Sequence, residues 1–232
     1  MDKGVKLRLI IHNILYEIKK SNKTIDDLYI KYNINSLSSR DIGFINNISL
    51  NSMRYYFHSK NILKKYVKKK PNLHSELLLI SAVTQIVFLN FKEYAVIDTS
   101  VEIAKKLNIF HGFINACLKK ISLNKEVLKE EDISYSSLPY WFIKQTKDLN
   151  NQQKDEFINN FFKEPDLHLV FKNNNYLHNF ERELVTTSDL SGFLKEKIKF
   201  EDLSSYKNGE WWVQDFSSCF ALNNIDERIL NK

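Results

Sequence analysis

The most apolar stretch of the chain, Glu76–Ile121, has the periodicity of three consecutive helices. The first of them, Leu77–Leu89, carries only three polar residues, so we expect it to be buried on most sides. It is also too short to cross a bilayer. The second helix is predicted over about Val96 to Leu107, and Gly112 allows the turn before the third. This pattern predicts a small all-α core in which amphipathic helices surround a central apolar helix.

The residues before this stretch continue the helical pattern. Val5–Lys20 is predicted as a helix, and Thr24 and either Ser38 or Ser39 are predicted to cap the next two. A further helix over Lys60–Lys70 ends before Pro71. The buried stripe of the first helix is predicted to consist of Leu7, Ile10, Ile11, Ile14 and Ile18.

The character of the chain changes after Lys125, where residues 127–137 are polar and acidic and are predicted to be a linker. Two amphipathic helices follow, and then alternation over Leu167–Lys172 predicts a strand. Another short strand, in which Trp211 and Trp212 face opposite sides, leads into a last helix. The predicted fold is therefore an α-helical domain, 1–126, followed by a smaller α+β domain, 138–232, and is mostly α overall.

Composition indicates a folded protein of a reducing compartment. The chain is 43% hydrophobic and contains 16 Phe, 11 Tyr and 3 Trp, which excludes an intrinsically disordered protein. Its two cysteines, Cys117 and Cys219, lie far apart and form no metal pattern, so we expect a cytoplasmic protein. A signal peptide is the rival interpretation of the basic and then apolar N-terminus. Arg8, His12 and Asn13 interrupt its apolar run, and we expect no membrane partner.

Charge is unevenly distributed along the chain. Residues 1–125 hold 21 Lys and Arg against 9 Asp and Glu, whereas residues 126–232 hold 13 against 19. A basic first half is typical of a polyanion-binding surface. Coding bias that favours Lys is the alternative explanation, but it would raise Lys in the acidic second half as well. Lys3, Lys6 and Arg8 at a helix N-terminus oppose the helix dipole, which predicts either an RNA phosphate nearby or a frayed, solvated end.

Three segments carry a family resemblance. The segment containing Gly112, Phe113, Asn115, Ala116 and Leu118 resembles the last helices of NusB-type RNA-binding domains, in particular the domain that opens RsmB-type ribosomal RNA cytosine methyltransferases. Arg40, Phe44 and Arg54 match a second motif of that domain. The segment with Gly209, Trp211, Val213, Gln214, Asp215 and Ser217 resembles the one that leads into the catalytic domain of those methyltransferases, and the printed sequence stops there.

No catalytic, cofactor or metal site is predicted within the chain. There is no Gly-x-Gly for S-adenosylmethionine and no Pro-Cys or Thr-Cys dipeptide for the family's nucleophile. Cys117 is predicted to be a core residue, and the six histidines are isolated in sequence. Asp215 beside Gln214 is interpreted as a buried hydrogen-bonding pair that orients the last helix. S-adenosylmethionine would enter only with a separately supplied catalytic domain, and by itself the chain is not expected to be an enzyme.

Together these features predict an RNA-binding protein equivalent to the recognition part of an RsmB-type methyltransferase, with small-subunit ribosomal RNA as the partner that the resemblance implies. The alternative is a scaffold of transcription antitermination or a partner subunit for a separate methyltransferase, which would dock at the C-terminal end. A truncated methyltransferase is a third interpretation. The residues predicted to contact RNA are Lys6, Arg8, Arg40, Arg54, Lys119 and Lys120.

Overall fold

The structure, a computed structural model, describes residues 2–21, 23–131, 133–180, 183–196 and 204–223, and divides into two compact units, Met1–Phe162 and Lys163–Lys232. The helices of the first unit are α1 (Lys3–Lys20), α2 (Ile25–Lys31), α3 (Ser39–Arg54), α4 (Tyr56–Tyr66), α5 (Leu73–Val83), α6 (Glu93–Lys106), α7 (His111–Leu123), α8 (Lys125–Lys129), α9 (Tyr140–Gln145) and α10 (Asn151–Phe161). Within the described residues, no helix combines the length and the apolarity needed to span a membrane.

Local side chains start the first helices as the sequence predicts. The Thr24 side chain accepts a hydrogen bond from the backbone N–H of Asp27 at the start of α2, and Ser38 does the same for Asp41 at the start of α3. The start of α1 has a feature that sequence reasoning did not use. The Asp2 carboxylate accepts hydrogen bonds from the N–H groups of Gly4 and Val5, so the first turn of α1 already has an anion beside it.

The central position of α5 is confirmed. Every residue from Ser75 to Val87 is buried, which agrees with the near-absence of polar residues there. Leu77 packs into a cluster with α1, α2 and α3, whereas Leu78 to Val87 pack into a second cluster with α4, α6, α7 and α8. The helix therefore joins two halves of one core, in which each fully buried Leu or Ile contributes about 1.5–3 kcal/mol.

The end of α5 differs from the single helix predicted over Leu77–Leu89. The α-helix ends at Val83, and Thr84–Phe88 forms one π-helical turn. Two polar side chains bond back to the preceding turn there: Thr84 Oγ1 donates to the Ile80 carbonyl at 2.9 Å, and Gln85 Nε2 donates to the Ser81 carbonyl at 3.1 Å. Single π turns of this kind are frequent at functional sites.

The second unit contains a four-stranded antiparallel sheet with the strand order β2-β3-β1-β4. Its strands are β1 (His168–Phe171), β2 (Leu184–Ser188), β3 (Ser191–Leu194) and β4 (Trp211–Val213), and its helices are α11 (Asn174–His178), α12 (Ser204–Lys207) and α13 (Phe216–Asn223). The strand predicted over Leu167–Lys172 is thus confirmed as β1, and the short strand before the last helix as β4.

The opposite placement of the two tryptophans on β4 is also confirmed. Trp211 is 1% exposed and packs against Phe171 and Phe180, whereas Trp212 is 43% exposed. The predicted buried pair at the end of this strand is wrong. Asp215 is exposed, and its Oδ1 accepts hydrogen bonds from the backbone N–H groups of residues 217 and 218, so it caps the first turn of α13 by itself.

The predicted linker, residues 127–137, lies within the first compact unit rather than at its edge. Tyr135 packs against Phe142 and Phe157, and Lys65 Nζ lies 2.6 Å from Glu131 Oε1, so α9 and α10 are attached to the helical core. The two units divide between residues 162 and 163. The domain boundary at residues 127–137 stays a prediction.

Candidate nucleic-acid interface

A cleft of about 560 Å³ lies between the first turns of α1 and α3. We call it the α1–α3 cleft. Its lining includes four charged side chains, a glycine and an aromatic ring: Lys3, Arg8, Arg40, Asp41, Gly43 and Phe44. Two of the six cations predicted to contact RNA, Arg8 and Arg40, therefore lie in one cleft although 32 positions separate them in the sequence.

Arg8 is the most firmly held side chain of this cleft. Its Nε donates a hydrogen bond to Gln85 Oε1 at 2.7 Å. Its guanidinium carbon lies 5.0 Å from the ring centroid of Phe44 and 5.9 Å from that of Phe91, within the range of cation–π contacts. Half-burial lowers the pKa of Arg8, but a guanidinium stays charged at neutral pH. The cleft thus holds a fixed, partly desolvated positive charge.

Gln85 fixes this arginine from the buried π turn. Its Nε2 donates to the Ser81 carbonyl at 3.1 Å, which orients the amide so that Oε1 points to Arg8. Gln85 is 2% exposed, so its amide needs partners inside the protein. The sequence showed a glutamine within an apolar helix, but it gave no partner for it.

A salt bridge forms the other side of the cleft. Lys3 Nζ lies 2.9 Å from Asp41 Oδ2, and the same carboxylate accepts a hydrogen bond from Ser38 Oγ at 2.8 Å. The hydrogen bond from Lys3, followed by the one from Ser38, holds the pKa of Asp41 below its usual value. The charges of Lys3 and Asp41 cancel, so the net positive charge of the lining residues comes from Arg8 and Arg40, and the nearby carboxylate of Asp2 offsets part of the charge of Arg8.

The other four predicted contact residues do not line this cleft. Lys6 is exposed on α1, and Lys119 and Lys120 are exposed on α7. Arg54 lies at the last residue of α3, where its Nη1 donates to Asn51 Oδ1 at 2.7 Å. Their roles as RNA contacts stay predictions.

Two histidines that are isolated in sequence meet in the fold. His12 Nε2 lies 3.1 Å from His74 Nδ1, and Tyr16 stacks on His74 with ring centroids 4.0 Å apart. Burial, followed by the charge of His74, lowers the pKa of His12 to about 4, so this imidazole is neutral at neutral pH. In the described parts of the chain, no group of three or more His, Cys, Asp or Glu side chains is placed to hold a metal.

Cys117 is confirmed as a core residue. It is 4% exposed within the cluster formed by α4 to α8, and burial raises its thiol pKa to about 11. A buried thiol with a raised pKa is a poor nucleophile.

Comparison with known protein families matches residues 5–123, just over half of the chain, to the NusB family. The chain belongs to the NusB family. Proteins of this family bind RNA and protein partners. The NusB-family segment contains α2 to α7 and all of α1 except its first two residues. It therefore includes most of the α1–α3 cleft, the π turn and all six predicted contact residues.

Structural comparison finds a similar fold in a chain described as "Crystal Structure of PH0851", with a TM-score of 0.51 and 16% sequence identity. The similarity covers 95% of this chain and 55% of that chain. At this identity it shows the fold alone, and this NusB-family chain spans about half the length of its structural neighbour. None of the curated proteins that were compared matches the chain in sequence.

Proposed function

We propose that this NusB-family chain is an RNA-binding protein and that its α1–α3 cleft contacts the RNA. The observation that carries the proposal is the convergence of Arg8 and Arg40 on one cleft that also contains Phe44. Nucleic-acid affinity comes largely from cations that neutralise phosphates. The net charge of +12 over residues 1–125 supports the same partner.

The chemistry of the cleft suits an unpaired stretch of RNA. Single-stranded bases stack on aromatic rings or on arginine planes, and an arginine fork pairs with phosphate oxygens. Arg8 lies over Phe44 with its orientation fixed by Gln85, while Arg40 is exposed at the mouth of the cleft. Gly43 has no heavy atom within 4 Å of where a Cβ would stand, so the backbone of α3 is open to a ligand there.

The resemblance refines the proposal to ribosomal RNA. We propose that the chain corresponds to the recognition part of an RsmB-type methyltransferase and binds small-subunit ribosomal RNA in the cytoplasm. The order of the matching motifs, from Arg40 through Gly112 to the Val213–Asp215 segment, supports this. Methyl transfer from S-adenosylmethionine would be a property of a separately supplied catalytic domain.

A scaffold role is the second candidate, and one observation favours it. In the second unit, Trp212 and Val213 on the terminal strand of the described sheet are 43% and 41% exposed, and Phe220 is 56% exposed. Exposed aromatic side chains are frequent anchors in protein interfaces.

RNA affinity measured against salt concentration tests the main proposal. Fluorescence anisotropy with a labelled, single-stranded fragment of small-subunit ribosomal RNA is recorded for the wild type, for Arg8→Gln/Arg40→Gln and for Lys105→Gln/Lys106→Gln. The last variant removes the same charge from exposed positions of α6. We expect the arginine variant to lose about 0.7 of salt slope per phosphate contact, with the control unchanged. Equal slopes and affinities for the two variants, or a wild type that does not bind RNA, would overturn the proposal.

A further inference from the structure

A second basic depression lies where the C-terminal end of α1 approaches α4 and the loop before α5. It has a volume of about 350 Å³, and its charged and aromatic lining residues are Lys19, Tyr56, Lys60, Lys70 and Glu76. We call it the Tyr56 cleft. A neighbouring depression of about 350 Å³ shares Lys60, Lys70 and Glu76 with it and adds further lysines of the same segment. None of the six predicted contact residues belongs to this region.

The only carboxylate lining this cleft is already used by the protein. Glu76 is 6% exposed, Lys60 Nζ lies 2.7 Å from its Oε1, and Tyr56 donates its hydroxyl to the same oxygen at 3.1 Å. In the described parts of the chain, no carboxylate lies within ion-pair distance of Lys19 or Lys70. With three lysines and one carboxylate, the residues lining the cleft carry a net charge of about +2, and Lys70 also interacts electrostatically with Glu76.

Tyr56 holds part of this charge in place. Lys19 Nζ lies 4.7 Å from its ring centroid and Lys60 Nζ lies 5.6 Å from it. Both distances are in the cation–π range, so the ring orders ammonium groups that would otherwise move freely in solvent. A lysine run is usually a solvated face, but here Lys19 and Lys60 lie against one ring and Lys70 lines the same cleft.

The geometry of α1 relates the Tyr56 cleft to the α1–α3 cleft. Arg8 and Lys19 are eleven residues apart, so they differ by about 20° around the helix axis and by about 16 Å along it. The two cations thus lie along one side of α1. With about 3.4 Å of axial rise per nucleotide of a helical strand, this distance is about five nucleotides.

We propose that the Tyr56 cleft binds a second phosphate group of the same RNA strand that enters the α1–α3 cleft. This inference rests on the proposed function and adds to it a direction and a length: the strand runs along α1 and, with its bases stacked, needs about five nucleotides to reach both clefts.

RNAs of two lengths test the Tyr56 cleft separately, because only the longer RNA can reach both clefts. Four-nucleotide and twelve-nucleotide RNAs of one sequence are titrated by anisotropy with the wild type, Lys19→Gln/Lys70→Gln and Lys105→Gln/Lys106→Gln. Both substituted pairs are exposed lysines, so folding should be preserved. We expect Lys19→Gln/Lys70→Gln to weaken binding of the longer RNA about tenfold and to lower its salt slope by about 0.7, the value for one lost phosphate contact, with no change for the shorter RNA. Lys19→Arg/Lys70→Arg keeps the charge and should bind like the wild type.

Each contrary result has a distinct meaning. If the longer RNA binds Lys19→Gln/Lys70→Gln as tightly as the control variant while Arg8→Gln/Arg40→Gln weakens it, the Tyr56 cleft proposal is wrong and the proposed function stands. If the wild type binds neither RNA, both are wrong. If a twelve-residue poly-glutamate peptide displaces the longer RNA at equal concentration, the cleft is a site for acidic peptides and the RNA assignment is overturned.

Discussion

The hydrogen bond between Arg8 and Gln85 connects the helical core to the proposed RNA surface, and its removal has a defined cost. Gln85→Leu replaces a buried amide by an apolar side chain of similar size and leaves Arg8 Nε without its acceptor at 2.7 Å. A hydrogen bond to a charged group contributes about 1.5–3 kcal/mol. Gln85→Leu should lower the free energy of unfolding by less when Arg8 has been replaced by methionine, because no charged donor then remains without an acceptor.

The expected quantity is therefore a coupling energy. From Arg8→Met, Gln85→Leu and the double variant, we expect the free energies of unfolding to give a coupling of about 1–2 kcal/mol. Urea unfolding followed by circular dichroism at 222 nm suits the measurement, because the helices that contain both residues belong to the first unit. Denaturant slopes must agree between variants for the comparison to hold.

Arg54 and Asn51 provide the matched control. They also form an arginine–amide hydrogen bond of 2.7 Å, but they are three residues apart at the end of α3. We expect a coupling below about 0.5 kcal/mol for this local, partly exposed pair. A coupling at Arg8 and Gln85 no larger than that of the control would refute the view that Gln85 fixes Arg8.

Three further predictions concern other parts of the chain. Gly43→Ala should raise the free energy of unfolding by about 0.5–1 kcal/mol in urea titrations, because alanine favours the helix and the added methyl group meets no heavy atom within 4 Å at this position of α3; a loss of stability would contradict this. His12 has its pKa lowered from 6.5 to about 4, so its neutral form stabilises the fold above pH 6.5. That contribution, about 3 kcal/mol at most, should be lost as the pH falls from 6.5 to 4. In His12→Leu, the free energy of unfolding should therefore depend less on pH over this range. In thermal unfolding, Trp211→Ala should destabilise the second unit by about 3–5 kcal/mol, because Trp211 is buried. Trp212→Ala should destabilise it by less than about 1 kcal/mol, because Trp212 is largely exposed. Similar losses of stability for the two variants would contradict the packing of the sheet.

Hydrophobic periodicity predicted the elements whose own apolar residues determine how they are buried. The apolar run around α5 indicated a central helix, and the alternation before residue 172 indicated a strand, although β1 is buried on both faces because His168 is enclosed as well. The π turn was not predictable in the same way. It accompanies Thr84 and Gln85 bonding back into the helix, which is a matter of side-chain geometry and not of hydrophobic pattern.

The candidate site was predictable in its charge but not in its geometry. Judged by charge alone, Lys6, Lys119 and Arg8 are equally good candidates for RNA contacts. Only tertiary packing shows which cation lies in a cleft and which lies on a solvated face. The two contacts that organise α1, Arg8 with Gln85 and His12 with His74, join residues 77 and 62 positions apart. Neither residue type nor local spacing indicates such partners.

The most direct test of the central claim is to find where bound RNA touches the chain. A single-stranded ribosomal RNA fragment containing 4-thiouridine is cross-linked by light to the wild-type protein, and the linked peptides are identified by mass spectrometry. We predict cross-links within residues 3–8 and 40–47, the two segments that contain the lining residues of the α1–α3 cleft. Cross-links confined to the second unit, or to the exposed Tyr140 and Trp141 of α9, would contradict the claim that the α1–α3 cleft binds RNA.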